Sequence, residues 1–325
     1  MRSCPLSTCK VSVCIPTYNY GNYIAETIES VLAQNFTDFE LLIIDDCSKD
    51  QTAHVVESYA RQDPRIRFIV NKVNLGMVEN WNSCIAEARG EYIKFVFGDD
   101  LLASPDAVGR MVFLLDNDNS VSLVCSARNL IDESSNVIKI ESHFDTGIME
   151  GTDVINRCLP SQGNLIGEPS VVMFRKNQAG LGFNAKYKQI VDLEMWFHLL
   201  EQGRFAFINE PLCSFRQHGQ QQTRVNAENL AALNDVFFLQ IDYLNKEYVR
   251  LSKFMKAYLQ FDSLYGIWKL YKKNRISRTE AVKLINSNSD FSYFRFWYPF
   301  YKIYKPFFKQ YKKIARKAGS CAPFY

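Results

Sequence analysis

Two pairs of adjacent aspartates, Asp45-Asp46 and Asp99-Asp100, each follow a short apolar run typical of a β-strand. If both runs belong to one parallel sheet, their carboxyl ends meet at the same edge and the carboxylates concentrate negative charge there. Such a site favours a hard divalent cation with oxygen ligands, and the cation in turn can hold a phosphate. The alternative is that both pairs are ordinary turn or helix-capping residues, which is a common use of aspartate. Like charges gathered at one edge would then repel without a counter-ion.

No glycine-rich phosphate loop of the G-x-G-x-x-G or G-x-x-x-x-G-K-[ST] type follows any predicted strand. The first strand is followed instead by the run Pro16–Asn19. This argues against a dinucleotide oxidoreductase and against a P-loop NTPase. A metal ion that bridges a diphosphate to carboxylates is the substitute that the acidic pairs suggest.

The elements that must position these residues alternate between short β-branched runs and amphipathic segments of helix length. The predicted strands are Lys10–Ile15, Glu40–Ile44, Ile66–Val70, Tyr92–Phe97 and Val121–Cys125, and the predicted helices are Tyr23–Ala33, Thr52–Arg61, Met77–Arg89 and Ala107–Leu115. This alternation predicts an α/β fold of Rossmann-like type, with a mostly parallel sheet and helices on both faces. Looser patterning up to residue 220 predicts strands near Ser170–Phe174 and Arg204–Ile208 and a helix at Leu193–Gln202, forming a second lobe over the same sheet edge.

Basic and aromatic residues are concentrated at the C-terminal end. The chain of 325 residues has a net charge of +3, yet residues 246–325 hold 18 Lys and Arg against 4 Asp and Glu. We expect this region to be largely helical after Asn226, with one helix within Ile276–Ser289 that begins at a Ser277 cap.

The segment 291–311 contains 12 aromatic residues interleaved with Arg and Lys. It is unsuited to span a bilayer, and Pro299 and Pro306 are expected to break it into short pieces. Aromatic rings suit the headgroup zone and each cationic residue gains ~1 kcal/mol near anionic lipid, so we favour attachment to an anionic membrane surface. Nucleic-acid binding by stacking and basic residues, and packing of an aromatic helix on the catalytic lobe, are the alternatives.

The apolar runs are strand-sized, well short of the ~20 residues that a membrane-spanning helix needs. No secretory-type apolar stretch precedes the first predicted strand. The nine cysteines form no Cys-x-x-Cys pair, which argues against a disulfide framework or a zinc site. We expect a cytoplasmic protein, with a peripheral position on the inner face of the cell membrane as a further hypothesis.

A series of blocks in a fixed order resembles the inverting GT-A glycosyltransferases of family 2. The blocks are Val11–Asn19 (VSVCIPTYN), Leu42–Asp50 (LIIDDCSKD), Asn74–Gly76 (NLG), Gly90–Tyr92 (GEY) leading to Gly98–Asp100 (GDD), Asp192–Trp196 (DLEMW) and Phe215–His218 (FRQH). The resemblance implies a GT-A fold, a nucleotide-sugar donor and Mn²⁺ or Mg²⁺ as cofactor. It also implies transfer with inversion to a saccharide or lipid-linked saccharide acceptor.

The resemblance assigns roles to individual residues of the donor site. It places Pro16, Thr17 and Tyr18 against the nucleobase, and it makes Asp45 the acceptor of a hydrogen bond from a base N–H, such as that of uracil. Within the Gly98–Asp100 block it implies that Asp99 binds the ribose and Asp100 the metal.

Two further residues carry predicted roles. Asp192 corresponds to the family's catalytic base, with a helix N-cap as the alternative. His218 is placed to reach the metal or the diphosphate, with a surface-loop histidine as the alternative. Many relatives have Asp-x-Asp-Asp at the acidic block, and this chain has Phe97 at the first of those positions.

The expected organisation has three parts. Residues 1–125 are predicted to form the nucleotide-sugar-binding half, residues 126–240 the acceptor-binding half of the same GT-A domain, and residues 241–325 a helical, basic and aromatic C-terminal region. A sugar-nucleotidyltransferase and a catalytically silent subunit recruited to membranes are the alternative functions. Nucleic acid is not an expected partner.

Overall fold

The computed structural model describes residues 9–219, 234–287, 289 and 291–317. The strands there are β1 Val11–Thr17, β2 Phe39–Asp45, β3 Ile66–Val70, β4 Tyr92–Phe95, β5 Leu101–Leu102, β6 Val121–Ile131, β7 Val137–Glu141, β8 Gly147–Glu150, β9 Val172–Arg175 and β10 Arg204–Arg216. The helices are α1 Ile24–Leu32, α2 Thr52–Ala60, α3 Met77–Glu87, α4 Ala107–Asn117, α5 Gly151–Ser161, α6 Val191–Leu200, α7 Asp235–Tyr243, α8 Lys253–Lys272, α9 Arg278–Asn286 and α10 Phe291–Lys317.

All of these strands belong to one sheet, in the order β3-β2-β1-β4-β9-β6-β10-β5, with β7 paired to β6 and β8 to β10. Strands β1 to β4 are parallel, and β6 runs parallel to β10. Strand β9 is antiparallel to both of its neighbours, so β4, β6 and β10 run in the same direction. The prediction of a mostly parallel α/β sheet is confirmed. Because β1 and β2 are buried along their whole length, they appear in the sequence as continuous apolar runs.

Two strands are much longer than the sequence pattern predicted. The runs Val121–Cys125 and Arg204–Ile208 are only the first parts of β6 and β10, which pair in parallel as far as Ile131 and Arg216. Polar residues interrupt the apolar pattern in the later part of β6, and irregularities in the pairing break it in β10. The length of β10 matters because it carries the chain to the FRQH block at the end of the sheet.

The chain divides into two compact units. One contains Met1–Gly151, Ile166–Lys186 and Val191–Gln221, and therefore holds all the described strands. The other contains Thr152–Leu165, Tyr187–Ile190 and Gln222–Tyr325, and includes α7 to α10. The second unit confirms the expected helical C-terminal region.

Helix α9 begins where the sequence predicted. The Ser277 side chain accepts a hydrogen bond from the Glu280 backbone N–H at 3.1 Å, and the Glu280 carboxylate accepts one from the Ser277 N–H at 2.8 Å. These reciprocal bonds satisfy two donors of the first helical turn. The part of the predicted helical region between residues 220 and 233 lies outside the described residues, as do residues 1–8.

The expectation that prolines would break the aromatic segment is wrong, because α10 is continuous through Pro299 and Pro306. The two prolines are exposed and seven residues apart, so they share one face of the helix. Phe294, Tyr301 and Phe308 have the same spacing, are buried, and hold another face against α8. The backbone groups that proline disrupts therefore lie away from the packed side, where water can satisfy them. Among the described helices, none has both the length and the apolar character needed to cross a membrane.

Candidate active site

The ends of three neighbouring strands bring the predicted donor residues to one edge of the sheet. Thr17, at the end of β1, is in register with Asp45 at the end of β2. On the other side of β1, the chain leaving β4 passes so close that a Cβ on Gly98 would lie 3.0 Å from the Thr17 hydroxyl and 2.9 Å from the Tyr20 ring. Strands are ~4.8 Å apart, so β2 and β4 flank β1 at a mutual separation of about 10 Å. Asp45 and the 98–100 block thus border the same strand end.

The carboxylate of Asp45 is held by the turn that follows it. Its Oδ2 accepts a hydrogen bond from the Ser48 backbone N–H at 3.0 Å, and its Oδ1 accepts one from the Ser48 hydroxyl. That hydroxyl also accepts the N–H of Asn19 at 2.8 Å, which joins this turn to the loop after β1. Burial raises the pKa of Asp45, and the negative charges of Asp50 and Asp46 raise it further, against the lowering effect of the Ser48 bonds.

Asp46, the other member of this pair, has a structural task. Its Oδ1 accepts the Leu75 N–H at 2.8 Å and the Asn71 amide at 2.9 Å, and its Oδ2 accepts the Gly76 N–H at 2.9 Å. Gly76 has φ +86°, a conformation that favours glycine. Asp46 is 2% exposed, so it is a buried support of the loop at residues 71–76 and not an ordinary solvated turn residue. The two adjacent aspartates therefore have different hydrogen-bond partners, Ser48 for Asp45 and the loop at residues 71–76 for Asp46.

Asp100 is fully buried and hydrogen-bonded through both carboxylate oxygens. Its Oδ2 accepts the Ser170 hydroxyl at 2.5 Å and its Oδ1 accepts the Arg216 backbone N–H at 3.0 Å. Burial, followed by the negative charge of neighbouring Asp99, raises the pKa of Asp100 well above its ordinary value. The same combination of burial and these two carboxylates raises the pKa of Tyr20. A carboxylate in such surroundings gains from a nearby cation.

His218 lies directly against Asp99. Its Nε2 is 2.9 Å from Asp99 Oδ2, and its ring packs beside Tyr23 with centroids 5.1 Å apart. Only 4% of His218 is exposed, so the alternative of a surface-loop histidine is wrong. The structure therefore brings Asp99, Asp100 and His218 together.

Arg216 holds this cluster together, although the sequence pattern indicated no role for it. Its guanidinium is fully buried and donates through Nε to the Asp99 carbonyl at 2.8 Å. Its other nitrogens donate to the Ser135 hydroxyl at 2.9 Å and to Glu26 Oε2 on α1 at 2.9 Å. One side chain thus links β10, the acidic block, the turn after β6 and α1. The only sequence signal for it was its place within the FRQH block.

The residues predicted to face the nucleobase differ in exposure. Pro16 and Thr17 are buried within β1, whereas 44% of Tyr18 is exposed. The Thr17 hydroxyl is buried and, in the described part of the chain, has no hydrogen-bond partner. Tyr18 thus offers an accessible ring, and Thr17 an unsatisfied polar atom, next to Asp45.

Asp192 is the second residue of α6, where its Oδ1 accepts the Leu193 N–H at 2.7 Å. One turn later on the same face, Trp196 is buried and its Nε1 donates to the Gly167 carbonyl at 3.0 Å. Three residues after Gly167, Ser170 binds Asp100. The helix that carries Asp192 and the acidic cluster are therefore supported by one segment, residues 167–170. Ser170 lies in a short 3-10 turn, Pro169–Val171, and no sequence signal could have identified it as this support.

Phe97 occupies the position where many relatives have an aspartate. Its ring lies 4.9 Å from the ring of Trp81, which also contacts Phe183 at 5.0 Å. Its backbone N–H donates to the Ser170 hydroxyl at 2.9 Å. Phe97 therefore extends an aromatic cluster with Trp81 and Phe183, and the carboxylates of the block belong to Asp99 and Asp100.

The described ranges contain no group of three or more His, Cys, Asp or Glu side chains arranged to hold a metal ion. Mg²⁺ is usually held by one or two carboxylates, with substrate phosphates and water completing the shell. Asp100 fits this kind of site, because each of its oxygens accepts one hydrogen bond and keeps a further lone pair. Asp99 is the neighbouring carboxylate, and its negative charge acts on Asp100.

Comparison with known proteins decides the family. The family model described as Glycosyl transferase family 2 matches residues 12–177, more than half of the chain. This chain belongs to glycosyltransferase family 2. As a member it is an enzyme of the glycosyltransferase class, and the alternatives of a sugar-nucleotidyltransferase and of a silent subunit are set aside.

Two relatives of this family 2 glycosyltransferase each align with about two thirds of the chain. It is 32% identical over 229 residues to an uncharacterised protein of Mycobacterium tuberculosis, an alignment that spans 67% of this chain and 70% of the other. It is 27% identical over 208 residues to the putative teichuronic acid biosynthesis glycosyltransferase TuaG of Bacillus subtilis, across 63% of this chain and 78% of TuaG.

Two solved structures share the fold of this family 2 glycosyltransferase. TarS of S. aureus in complex with UDP-GlcNAc has a TM-score of 0.61 at 21% identity, over 85% of this chain and 75% of the TarS chain. The mannosyltransferase PcManGT of Pyrobaculum calidifontis, in complex with GDP-Man and Mn²⁺, has a TM-score of 0.55 at 16% identity, over 96% and 87% of the two chains. At these identities the likeness concerns the fold, which is GT-A.

Proposed function

We propose that this enzyme transfers a sugar from a UDP-sugar to a hydroxyl of a glycan or lipid-linked saccharide, with inversion at the anomeric carbon. The observation that carries the proposal is the cluster of Asp99, Asp100 and His218 at the end of β4, bordering the same strand as Asp45. Ligands of α/β sheets bind beyond the carboxyl ends of the strands, where this cluster lies. The UDP-GlcNAc complex of TarS, which has the same fold, supports the choice of a uridine nucleotide.

The donor nucleotide is assigned to the two strand ends. Asp45, oriented by Ser48, accepts the N–H of the uracil ring, and Pro16, Thr17 and Tyr18 border the base. The Thr17 hydroxyl, buried without a partner in the described ranges, gains one when a polar ligand arrives. Asp99 binds the ribose through the oxygen that its hydrogen bond with His218 leaves available.

Mn²⁺ or Mg²⁺ is assigned to Asp100, with His218 as a second, weaker contact to the ion or the diphosphate. A cation held there would supply positive charge to stabilise the diphosphate as the bond to the anomeric carbon breaks. Ser170 and the Arg216 backbone fix the carboxylate that receives the ion.

Asp192 is assigned the general base that takes the proton from the acceptor hydroxyl as it attacks the opposite face of the sugar. A positioned base contributes roughly 10²–10⁴-fold to such a step. The fixed position of α6, set by the Trp196 bond to Gly167, supports this role because general-base catalysis depends on geometry first.

The acceptor is assigned to surface polysaccharide assembly, in keeping with the printed name of TuaG. A lipid-linked acceptor resides in a membrane, so the enzyme is proposed to work at the inner face of the cell membrane. The basic, aromatic C-terminal region, with 18 Lys and Arg against 4 Asp and Glu in residues 246–325, is the part proposed to contact anionic lipid.

The test is release of UDP from a panel of UDP-sugars in the presence of Mn²⁺, with wild type, Asp100→Ala and Asp192→Asn. We expect both variants to lose at least about 10²-fold in rate. Asp38→Asn, which changes an exposed carboxylate outside the cluster, is the matched control and keeps the wild-type rate. Wild-type rates in Asp100→Ala and Asp192→Asn would overturn the assignment of the site.

A further inference from the structure

Helix α10 presents one aromatic face to α8. On this packed face Phe294 stacks on Phe261 with centroids 4.9 Å apart, and Phe308 stacks on Tyr258 at 3.6 Å. Tyr301 lies between them and donates its hydroxyl hydrogen bond to Asp262. These contacts fix the rotation of α10 about its own axis, and therefore fix which residues point away from α8.

A second face of α10 is aromatic as well and is exposed. Its members are 42 to 70% exposed: Tyr293, Phe296, Trp297, Phe300, Ile303, Tyr304 and Phe307. Their spacing of three, four and seven residues places them along one stripe of the helix. Phe254 of α8, 58% exposed and 5.5 Å from the Tyr304 ring, widens the stripe. We call this surface the outer aromatic face.

Monomeric soluble proteins rarely expose a contiguous apolar surface of this kind without a partner. The partner can be identified from charge. The sequence of α10 contains eight Lys and Arg and no Asp or Glu. Two of the lysines are directed over rings, with Lys302 Nζ 4.7 Å from the Tyr298 ring centre and Lys305 Nζ 3.9 Å from that of Tyr265.

A second copy of the chain is the less suitable occupant, because two helices with the same excess of positive charge would repel when their outer aromatic faces met. An anionic lipid surface complements both the positive charge of α10 and its exposed aromatic side chains. Tryptophan and tyrosine rings are favoured at the depth of the headgroups, phenylalanine side chains reach into the acyl boundary, and lysines keep their charge near lipid phosphates.

We infer that the outer aromatic face of α10 is a docking surface for an anionic bilayer, on which the helix lies in the membrane plane. The inference rests on the proposed function, which supplies the class of partner: a membrane that holds the acceptor. It adds the location of the docking surface. It also distinguishes the aromatic residues that pack inside the C-terminal unit from those that contact lipid. The exposed aromatics make the membrane contact, and the packed aromatics hold the helix that carries them.

The experiment measures co-sedimentation of the full-length protein with phosphatidylcholine vesicles, with and without phosphatidylglycerol. The test variant is the triple substitution Phe296→Ser, Phe300→Ser and Phe307→Ser. The matched control is the double substitution Phe113→Ser and Leu181→Ser, which removes exposed apolar side chains from the other compact unit. We expect wild type and control to bind the anionic vesicles, and the triple variant to bind at least about tenfold more weakly.

Trp297 supplies an independent readout. Its emission is expected to shift to the blue on addition of anionic vesicles, and Trp297→Phe is expected to bind while losing most of the shift. Circular dichroism is expected to be the same for all variants, because each substitution is on an exposed side chain.

Three outcomes would overturn the inference. They are equal binding by wild type and the triple variant, equal binding of wild type to neutral and anionic vesicles, and a wild-type dimer in light scattering that the triple variant loses. UDP-sugar hydrolysis without vesicles is measured in parallel and is expected to be unchanged in the triple variant. Absence of UDP-sugar hydrolysis in the wild type would contradict the proposed function, whereas the vesicle measurement would still test the docking surface.

Discussion

The hydroxyl of Ser170 donates a hydrogen bond to the carboxylate of Asp100 at 2.5 Å. The same hydroxyl accepts the Phe97 N–H at 2.9 Å, and the Ser170 carbonyl accepts a hydrogen bond from the fully buried ammonium group of Lys94. One serine therefore joins the end of β4, the acidic block and a buried positive charge. The carboxylate assigned to the metal is held in place before any ligand arrives.

Ser170→Ala removes the hydroxyl that orients Asp100. A hydrogen bond to a charged group is worth about 1.5–3 kcal/mol, which corresponds to a roughly tenfold or greater change in an equilibrium constant. We expect the Mn²⁺ concentration needed for half-maximal UDP release to rise by about that factor, with activity partly recovered at saturating Mn²⁺. Ser83→Ala, at a half-buried position of α3 outside the cluster, serves as the control. An unchanged Mn²⁺ requirement in Ser170→Ala would show that this bond does not prepare the site.

Asp46→Asn affects the fold more than the chemistry. The asparagine amide would face backbone N–H groups that now donate to carboxylate oxygens, at Leu75 and Gly76. We expect the free energy of unfolding to fall by about 1–3 kcal/mol, measured by urea denaturation. Once folded, the variant is expected to need the same Mn²⁺ concentration as wild type. A shifted Mn²⁺ requirement with unchanged stability would contradict the structural role of Asp46 and show that this carboxylate acts on the metal.

The pH dependence of stability reports on Asp45. Because burial raises its pKa in the folded state above the unfolded value of ~3.9, ionisation of this group opposes folding. The stability that wild type has relative to Asp45→Asn is greatest below the unfolded pKa and declines as pH rises through the folded pKa of Asp45. Melting temperatures of both proteins without nucleotide, from pH 4 upward, measure this difference. A difference that grows with pH would contradict the buried position of the carboxylate.

Arg216→Lys keeps the positive charge but lacks the planar group that reaches the Asp99 carbonyl, Ser135 and Glu26 together. We expect the free energy of unfolding to fall by about 1–3 kcal/mol, because buried acceptors lose their donors. The KM for the UDP-sugar is expected to rise as well, since Asp99 is no longer held. Arg110→Lys, at an exposed ion pair with Glu210, is the control. Equal KM values for Arg216→Lys and wild type would limit Arg216 to a structural role.

The first half of the fold could be predicted because buried parallel strands have continuous apolar sequences. Strand β3 has the bounds that its pattern predicts, and α9 begins at its predicted capping box. Strand β9 could not be placed, since it enters the sheet between β4 and β6 from a distant part of the sequence, and periodicity carries no information about order. The continuity of α10 was missed because local rules for proline say nothing about the aromatic packing that holds the helix.

The candidate site was predicted in part. Ordered blocks located Asp45, Asp99, Asp100 and His218, which come from separate strands and loops to one edge of the sheet. The different hydrogen-bond partners of Asp45 and Asp46 could not be predicted, because the two residues are identical in type and adjacent in the sequence. The support from Ser170 was also invisible, because it depends on a tertiary contact across 70 residues of sequence.

Calorimetric titration of UDP into wild type and Asp100→Ala, each with and without Mn²⁺, tests the central claim most directly. We expect Mn²⁺ to strengthen UDP binding to wild type by at least about tenfold, since a cation held by Asp100 would attract the diphosphate. In Asp100→Ala the affinity is expected to be weak and the same with and without the ion. Full Mn²⁺-dependent strengthening in Asp100→Ala would contradict the account.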